Sequence, residues 1–385
     1  MAISNRIGPP VVGDDFYGRV QELAQAHKDI ESGHSLLLSA PRRIGKSSIA
    51  IKLIQEKKAQ GWKCVYIDLE GINSKEEFLT KLIENLRDSG IVGKAAKAVG
   101  SGIEDLLRSI KGIGPVKVDL SHVGTGQNPY QILSNTIDHN SDTLIVIDEL
   151  ALFLGILSQT DGNDDEVRFL LNWFRSLRQI TDTKVRWVFC GSVGLTNFTS
   201  MRNLSMTIND LKDLEIGEMT DAEATGLVKA LAEVSGLTFP QEVIEHLLEE
   251  LKWNIPYFIQ LIVNILIGKN NKCVTDKDID DALESLVHSR HLSTWSERLA
   301  EYKQYENAAR SILNILSAVP EGMTKKQILP IIMGELGLEP SIMTDTMLSQ
   351  VLGMLEHDGY LLRQGPVRSF RSPLVRKWWN FNFVE

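Results

Sequence analysis

Cysteine is scarce in this sequence. The chain of 385 residues contains only three cysteines, Cys64, Cys190 and Cys273, and no two of them have the close spacing of a metal-binding or redox motif. Disulfide frameworks and zinc modules need paired or clustered cysteines. The sequence therefore argues against both, and it favours a reducing compartment.

Long hydrophobic runs are also missing. The most apolar stretch, residues 257–267, includes Gln260 and Asn264, and it is shorter than the roughly 20 apolar residues that a membrane-spanning helix needs. We interpret it as a buried helix. The first residues, MAISNRIGPP, lack the apolar centre of a signal peptide. We therefore expect a cytoplasmic protein that does not interact with membranes.

The sequence also lacks an excess of positively charged residues. The 41 Lys and Arg residues are outnumbered by 50 Asp and Glu residues, which gives a formal net charge of −9. Proteins whose main role is to coat nucleic acid are usually basic. The 43% hydrophobic and 24% charged residues are instead typical of a globular protein, and the length allows two or three domains.

Strands and helices alternate through the first half of the chain. This alternation predicts a parallel sheet with crossover helices. Residues 90–126 hold eight of the 29 glycines and are interpreted as an insertion in this core. Strands are predicted at residues 35–39, 63–69, 143–147, 185–190 and 211–216, and helices at residues 20–32, 46–59, 74–87 and 166–179.

The second half of the sequence is mainly helical. Helices are predicted at residues 221–235, 241–251, 257–268 and 276–288. A further helical unit starts near residue 303, and its third helix, at about residues 342–357, is followed by a short strand and a Gly365-Pro366 turn. Three helices followed by a strand and a turn predict a winged helix-turn-helix.

A phosphate-binding loop is predicted directly after the apolar run 36–38. The sequence SAPRRIGKSSIA, residues 39–50, places Gly45, Lys46 and Ser47 in the last three positions of the pattern G-x-x-x-x-G-K-[ST]. Ala40 replaces the first glycine. Alanine disfavours positive φ, so the loop must begin with ordinary backbone geometry. The alternative is a chance Gly-Lys-Ser at a helix start.

Two acids follow the apolar strand that ends at residue 147. In a phosphate-loop enzyme the first acid, here Asp148, holds Mg²⁺ through water together with the hydroxyl of Ser47, and the second, Glu149, activates the attacking water. No guanine-reading Asn-Lys-x-Asp motif is present. The sequence therefore predicts ATP and Mg²⁺ as ligands.

Ser192 lies at the end of the strand predicted over residues 185–190. It could sense the γ-phosphate or orient water; alternatively, it is an ordinary serine in a turn that leaves the strand. Both interpretations remain open at this point.

These motifs together resemble the archaeal-type ATPases, a group near the STAND and AAA+ initiator-like P-loop NTPases. The similarity covers nearly the whole chain. The matching segments are Phe16-Tyr17-Gly18-Arg19-x-x-Glu22-Leu23, Pro41-Arg42-Arg43-x-Gly45-Lys46-Ser47-Ser48, Asp148-Glu149, Gly191-Ser192, Asn254-Ile255-Pro256-Tyr257-Phe258 and Phe370-x-Ser372-Pro373-Leu374-x-Arg376-x-Trp378-Trp379.

The resemblance implies a fold, domains and a set of site residues. The expected fold is α/β: a P-loop NTPase core with a parallel sheet at residues 1–216, a helical lid at 217–297 and a C-terminal winged helix-turn-helix at 298–385. Glu149, Lys46 and Ser192 would act in catalysis. The implied nucleotide-binding residues are Arg19, Pro41, Arg42, Arg43, Ile44, Gly45, Lys46, Ser47, Ser48 and Pro256.

The sequence also departs from the family pattern. Ala40 and Asn254 replace glycines, and no arginine stands directly before the last core strand. Arg202 is the nearest substitute for an arginine finger, and Arg175 and Arg178 are others. Hydrolysis across a subunit interface, slow intrinsic hydrolysis and a nucleotide-bound switch all fit the sequence.

Two functions are compatible with these features. The first is an ATP-binding and hydrolysing switch whose nucleotide state sets the position of the C-terminal domain. The second is a DNA-binding winged-helix protein in which ATP is a structural or assembly ligand. Residues 327–362 contain no Lys or Arg but include Glu335, Glu339, Asp345 and Glu356. This favours a protein partner or self-association over DNA.

The C-terminal segment carries the remaining features. Any contact with DNA would come from its basic residues, which are Arg363, Arg368, Arg371, Arg376 and Lys377. The adjacent Trp378 and Trp379 could stack on bases, but we expect them to anchor the tail in the domain core.

Overall fold

A computed structural model describes residues 3–91, 129–160, 164–191, 194–269 and 272–384. Ser192 and nearly all of the predicted insertion 90–126 lie outside these residues. The chain divides into two compact units. The sheet unit comprises Arg19–Ser39 and Lys46–Ile216, and the helical unit comprises Met1–Gly18, Ala40–Gly45 and Gly217–Glu385.

The sheet unit alternates strands and helices, as predicted. Its strands are β1 (Leu36–Ser39), β2 (Lys63–Asp68), β3 (Thr143–Asp148), β4 (Val185–Phe189) and β5 (Lys212–Glu215). Its α-helices are α1 (Val20–Glu31), α2 (Lys46–Ala59), α3 (Lys75–Asp88), α4 (Pro129–Thr136), α5 (Leu150–Thr160), α6 (Asp165–Arg178) and α7 (Leu195–Ser200).

The five strands form one parallel sheet in the order β2-β3-β4-β1-β5. Every residue of β3 is buried, as expected for a strand covered on both faces. A large apolar cluster includes Phe78 of α3, Phe153 of α5, Phe174 of α6 and Trp187 of β4. Because the strands are parallel, their carboxyl ends meet at one edge, where ligands bind in open α/β sheets.

The helical unit has the four helices predicted after residue 220. They are α8 (Asp221–Ser235), α9 (Gln241–Leu251), α10 (Pro256–Ile267) and α11 (Asp276–Val287). Capping boxes begin α8 at Thr220 and α11 at Thr275, and each satisfies backbone N–H groups of a first helical turn. No helix of the described residues is long and apolar enough to cross a membrane.

The C-terminal part contains helices and a small antiparallel sheet. Its elements are α12 (Thr294–Glu297), α13 (Glu306–Ser317), β6 (Met323–Thr324), α14 (Lys325–Leu336), α15 (Ile342–His357), β7 (Leu361–Gln364), β8 (Val367–Phe370) and α16 (Pro373–Phe383). The sheet order is β6-β8-β7. The expected third helix, strand and turn are therefore present.

The carboxyl-terminal helix α16 is anchored by its tryptophans. Trp378 and Trp379 are both buried, and Trp379 Nε1 donates a hydrogen bond to Asn314 Oδ1 of α13 at 2.8 Å. This confirms the expectation that the tail packs into its own domain.

Candidate functional site

The carboxyl edge of the sheet brings Ser47 and Asp148 together. Ser47 lies in the first turn of α2, and its Oγ donates a hydrogen bond to Asp148 Oδ2 at 2.7 Å. Asp148 ends β3 and is only 3% exposed. The two residues predicted to hold Mg²⁺ are therefore in direct contact, although β4 lies between β1 and β3 in the sheet.

Tyr66 joins the same carboxylate, and the sequence analysis did not identify it. Its hydroxyl donates to Asp148 Oδ2 at 2.5 Å. On β2, Tyr66 pairs with Val146, two residues before Asp148 on the neighbouring strand. Alternate residues share one face of a sheet, and a long side chain reaches the diagonal neighbour. The spacing would have indicated Tyr66 only if the adjacency of β2 and β3 had been known.

Glu149 follows in a left-handed backbone conformation, with φ of 57°. Its N–H donates to Asp148 Oδ1 at 2.9 Å. A Cβ placed on Gly191, beyond the end of β4, would lie 3.3 Å from Glu149 Cα and 3.4 Å from Glu149 Oε2. Glycine at this position therefore lets the chain approach the predicted water-activating carboxylate closely.

The groups beside the Asp148 carboxylate include the hydroxyls of Ser47 and Tyr66 and the thiol of Cys190. Burial, together with the charge of Asp148, raises the pKa of the Tyr66 hydroxyl and of the Cys190 thiol well above their usual values. Both groups are therefore protonated at neutral pH. Lys46, the first residue of α2, is also buried, and its charge acts in the opposite direction on the pKa of Cys190.

The loop 40–45, which joins β1 to α2, has two residues with positive φ. These are Arg43, at 65°, and Gly45, at 105°. Ala40 has no positive φ, so the loop begins with ordinary backbone geometry, as its alanine required. Gly45 has a conformation that favours glycine. Ile44 is buried, and Ser48 lies half-buried in the first turn of α2.

Arg43 is held inside the helical unit. Its guanidinium lies over the ring of Tyr257, 4.6 Å from the centroid, and its Nη1 donates to the Gly8 carbonyl at 3.4 Å. Burial raises the pKa of Tyr257, whereas the charges of Arg43 and Arg42 lower it. Both arginines of the loop therefore lie close to the first turn of α10.

Pro41 contacts the C-terminal part of the chain. Gly359, between α15 and β7, has a φ of 86°, and a Cβ placed on it would lie only 2.6 Å from Pro41 Cβ. The same Cβ would lie 3.0 Å from Trp253 Cη2. The guanidinium of Arg371 lies over the ring of Trp253, 5.6 Å from its centroid.

Pro256 and Asn254 lie at the start of α10. Pro256 occupies the first turn, where its missing N–H is tolerated. Asn254 Nδ2 donates a hydrogen bond to Asp221 Oδ1 at 2.7 Å, and the backbone carbonyl of Asn254 accepts one from the Met219 N–H at 2.9 Å. Asn254 has no positive φ, so asparagine fits where the family has glycine.

Arg19, in the sheet unit, is the residue before α1. It has a left-handed backbone, with φ of 62°. Its side chain is buried and pairs with Glu22 at 2.8 Å. The two charged residues of the segment Arg19-x-x-Glu22 therefore contact each other.

The three candidate finger arginines all make contacts within the sheet unit. Arg202 pairs with Asp164 at 3.1 Å and lies over the Phe198 ring. Arg178 pairs with Asp210 through two hydrogen bonds of 2.7 and 2.8 Å. Arg175 donates to the carbonyl of Met206. The finger role of Arg202 stays a prediction.

The basic residues of the C-terminal part are also engaged. Arg368 pairs with Glu356 at 3.0 Å, Arg376 donates to the Ser317 carbonyl at 2.8 Å, and Lys377 lies 3.8 Å from Glu250. Arg363 donates to the Gly365 carbonyl within its own turn. At the start of α15, Ile342 and Met343 are exposed by 88% and 82%.

Comparisons with known proteins relate the chain to solved structures only. No protein-family model and no curated protein sequence matches it. A Walker-type ATPase of Pyrococcus abyssi is 15% identical, with 98% of this chain and 99% of that chain covered, at a TM-score of 0.66.

Two further solved structures match over a similar length. The RuvB Holliday junction branch migration motor of Thermotoga maritima is 13% identical, with 94% of each chain covered and a TM-score of 0.45. The Orc1 protein of Aeropyrum pernix in complex with DNA is 16% identical, with 97% and 94% covered and a TM-score of 0.42.

The similarity to the Pyrococcus protein agrees with the sheet topology. Together with the parallel sheet and the loop between β1 and α2, it shows the P-loop NTPase fold. At 15% identity it shows the fold alone.

Proposed function

We propose that this protein binds ATP with Mg²⁺ and hydrolyses it to ADP and phosphate. The observation that carries the proposal is the 2.7 Å hydrogen bond from Ser47 Oγ to Asp148 Oδ2. It joins the hydroxyl that follows a Gly-Lys pair at a helix start to a buried carboxylate at the end of a parallel strand. This pairing is what magnesium-dependent phosphate loops require.

The loop and α2 supply the groups that bind phosphate. Gly45, with its positive φ, lets backbone N–H groups turn toward an anion. Helix α2 starts at Lys46, so its partial positive charge points at the same place. The Lys46 ammonium would contact the terminal phosphates, and Arg42 and Arg43 would add positive charge.

Ser47 and Asp148 would hold the cation. A hydroxyl and a carboxylate are the hard oxygen donors that Mg²⁺ prefers, and their buried, hydrogen-bonded contact fits such an ion. Bound Mg²⁺ would neutralise charge on the phosphate oxygens. Glu149, adjacent to Asp148 and close to Gly191, would accept a proton from water. Ser192, which follows Gly191 in the sequence, would assist it.

Three variants test this proposal. Lys46→Ala should lose ATP binding, whereas Lys58→Ala, an exposed lysine on the same helix, should bind as the wild type does. Glu149→Gln should bind ATP but lose turnover by at least about a hundredfold, which is the scale of general base catalysis. Unchanged binding of labelled ATP by Lys46→Ala would reject the site.

We further propose that the nucleotide state controls the C-terminal part of the chain. The domains would be the core at 1–216, a lid at 217–297 that contributes Pro256, and a winged-helix interaction domain at 298–385. The support is the close approach of Gly359 to Pro41, inside the loop, and to Trp253. A change in the loop would move the surface on which Gly359 rests.

The favoured partner is a protein or a second copy of the chain. Helix α15 has no Lys or Arg and exposes Ile342 and Met343, and the arginines of the adjacent hairpin are already engaged. DNA binding with ATP as a structural ligand has correspondingly less support. Self-association with Arg202 as a finger would require its pair with Asp164 to open.

A further inference from the structure

We infer that Tyr66 is a positioning residue that holds the Asp148 carboxylate in the orientation needed for magnesium. The inference rests on the proposed function and adds a residue to it. Its basis is the pair of hydrogen bonds that converge on one oxygen, from Ser47 at 2.7 Å and from Tyr66 at 2.5 Å.

The carboxylate has different partners on its two oxygens. Oδ1 accepts the Glu149 N–H at 2.9 Å, and Oδ2 accepts the two hydroxyls. Ser47 can offer its oxygen lone pairs to a cation while its proton points to Asp148. That geometry requires the carboxylate to stay in place. Tyr66 supplies a hydrogen bond that does not depend on Ser47.

The backbone makes Tyr66 a rigid support. Strand β2 pairs in register with β3 from Lys63 opposite Thr143 to Asp68 opposite Asp148. The tyrosine side chain is planar and has few rotatable bonds. It belongs to the strand next to the one that carries Asp148. Outer groups of this kind orient metal ligands, and their loss typically weakens metal affinity by about 10- to 100-fold.

The experiment separates magnesium binding from nucleotide binding. The protein is titrated with Mg²⁺ in the presence of a fluorescent, non-hydrolysable ATP analogue, and affinity for the analogue is also measured in EDTA. In Tyr66→Phe we expect the Mg²⁺ concentration at the midpoint of the titration to rise by about tenfold. Affinity in EDTA should change by less than about twofold, because the phosphate-binding loop is untouched.

Tyr130→Phe is the matched control. Tyr130 is a buried tyrosine of the same unit, and its ring packs against Trp173 and Phe169. It lies outside the Ser47–Asp148–Tyr66 cluster. The Mg²⁺ concentration at the midpoint of the titration should be the same for Tyr130→Phe as for the wild type. That result would show that the loss of a buried hydroxyl elsewhere in the unit does not weaken magnesium binding. Thermal melts of both variants check that they fold.

Three outcomes would overturn the inference. A magnesium midpoint unchanged by Tyr66→Phe would show that the hydroxyl does not position Asp148. An equal loss of affinity in EDTA and in magnesium would indicate a general structural defect. Failure of the wild type to bind the analogue would reject the proposed function itself, and the inference with it.

Discussion

At the scale of single residues, burial separates the three thiols. Cys64 and Cys190 are buried and Cys273 is exposed. Burial raises the pKa of Cys64 to about 11, and it raises the pKa of Cys190 as well. The thiolate is the reactive form, and of the three thiols only that of Cys273 is exposed to a reagent.

We predict that iodoacetamide at pH 8 modifies the native protein once, at Cys273, and three times after unfolding in urea. Mass spectrometry of the intact protein counts the adducts, and a Cys273→Ser variant should remain unmodified when native. Rapid labelling of Cys190 would contradict the prediction. It would show that the edge of the sheet at Asp148 opens readily.

The residues of the candidate site differ in how well the sequence alone predicts their contacts. Ser47 and Asp148 were predicted as partners because the chemistry of phosphate loops needs a hydroxyl and a carboxylate together. Tyr66 was not predicted, since a tyrosine in an apolar strand is ordinary. Its contact depends on β2 lying beside β3, and strand order is a tertiary property.

At the scale of elements, a buried ion pair fastens α6 to the segment before β5. The Arg178 side chain is buried and makes two hydrogen bonds to Asp210. It also donates to the Thr207 carbonyl at 2.7 Å. Burial opposes ionisation of Asp210, but the hydrogen bond and charge of Arg178 outweigh it and lower the pKa of that carboxyl.

We predict that Arg178→Met lowers the free energy of unfolding by about 3 kcal/mol at pH 7, because it leaves the Asp210 charge without its partner. Arg175→Met, on the same helix, should cost less than about 1 kcal/mol. Urea denaturation of both variants at pH 7 measures the difference. An equal loss in the two variants would contradict the prediction.

The pH dependence of Arg178→Met follows from the pKa of Asp210. Its folded pKa is lowered, so its stabilisation is present above the unfolded pKa near 4 and is lost as the pH falls through the folded value. The difference between wild type and Arg178→Met should therefore shrink from pH 7 toward pH 3. A difference that grows in acid would contradict this assignment.

Regular elements were predicted well, and atypical ones were missed. The strands around the site are short apolar runs, and the ends of the predicted strands and long helices agree with the structure within one or two residues. Helix α5, sequence LALFLGILSQT, was missed because its nearly continuous apolar residues have no helical period. It is buried against α6, so tertiary packing defines it.

At the scale of the molecule, Gly359 connects the loop to the C-terminal part, because it lies close to both Pro41 and Trp253. The residues are far apart in the sequence, and no local pattern indicates that they meet. Two features favour glycine at position 359. Its φ is 86°, and a Cβ placed on it would lie only 2.6 Å from Pro41 Cβ. The proposed switch requires that this contact responds to nucleotide.

Gly365 offers a control for Gly359. It also has positive φ, at 61°, but a Cβ placed on it would meet nothing within 4 Å. Alanine at either position carries a backbone cost of about 1–2 kcal/mol. Only Gly359→Ala also pushes against Pro41. Comparing the two variants therefore isolates the contact with the loop from the strain of the backbone.

We predict that Gly359→Ala weakens ATP binding by about tenfold, equivalent to about 1.4 kcal/mol, because displaced Pro41 distorts the phosphate-binding loop. Gly365→Ala should bind as the wild type does. Coupling between two sites is reciprocal, so ATP should alter hydrogen exchange of the amides at residues 355–362 in the wild type and far less in Gly359→Ala.

If ATP binds the wild type and those amides do not respond, the proposed switch is wrong, whereas the proposed nucleotide site is still supported. If Gly365→Ala weakens binding equally, backbone strain explains the loss, and the contact with Pro41 transmits nothing.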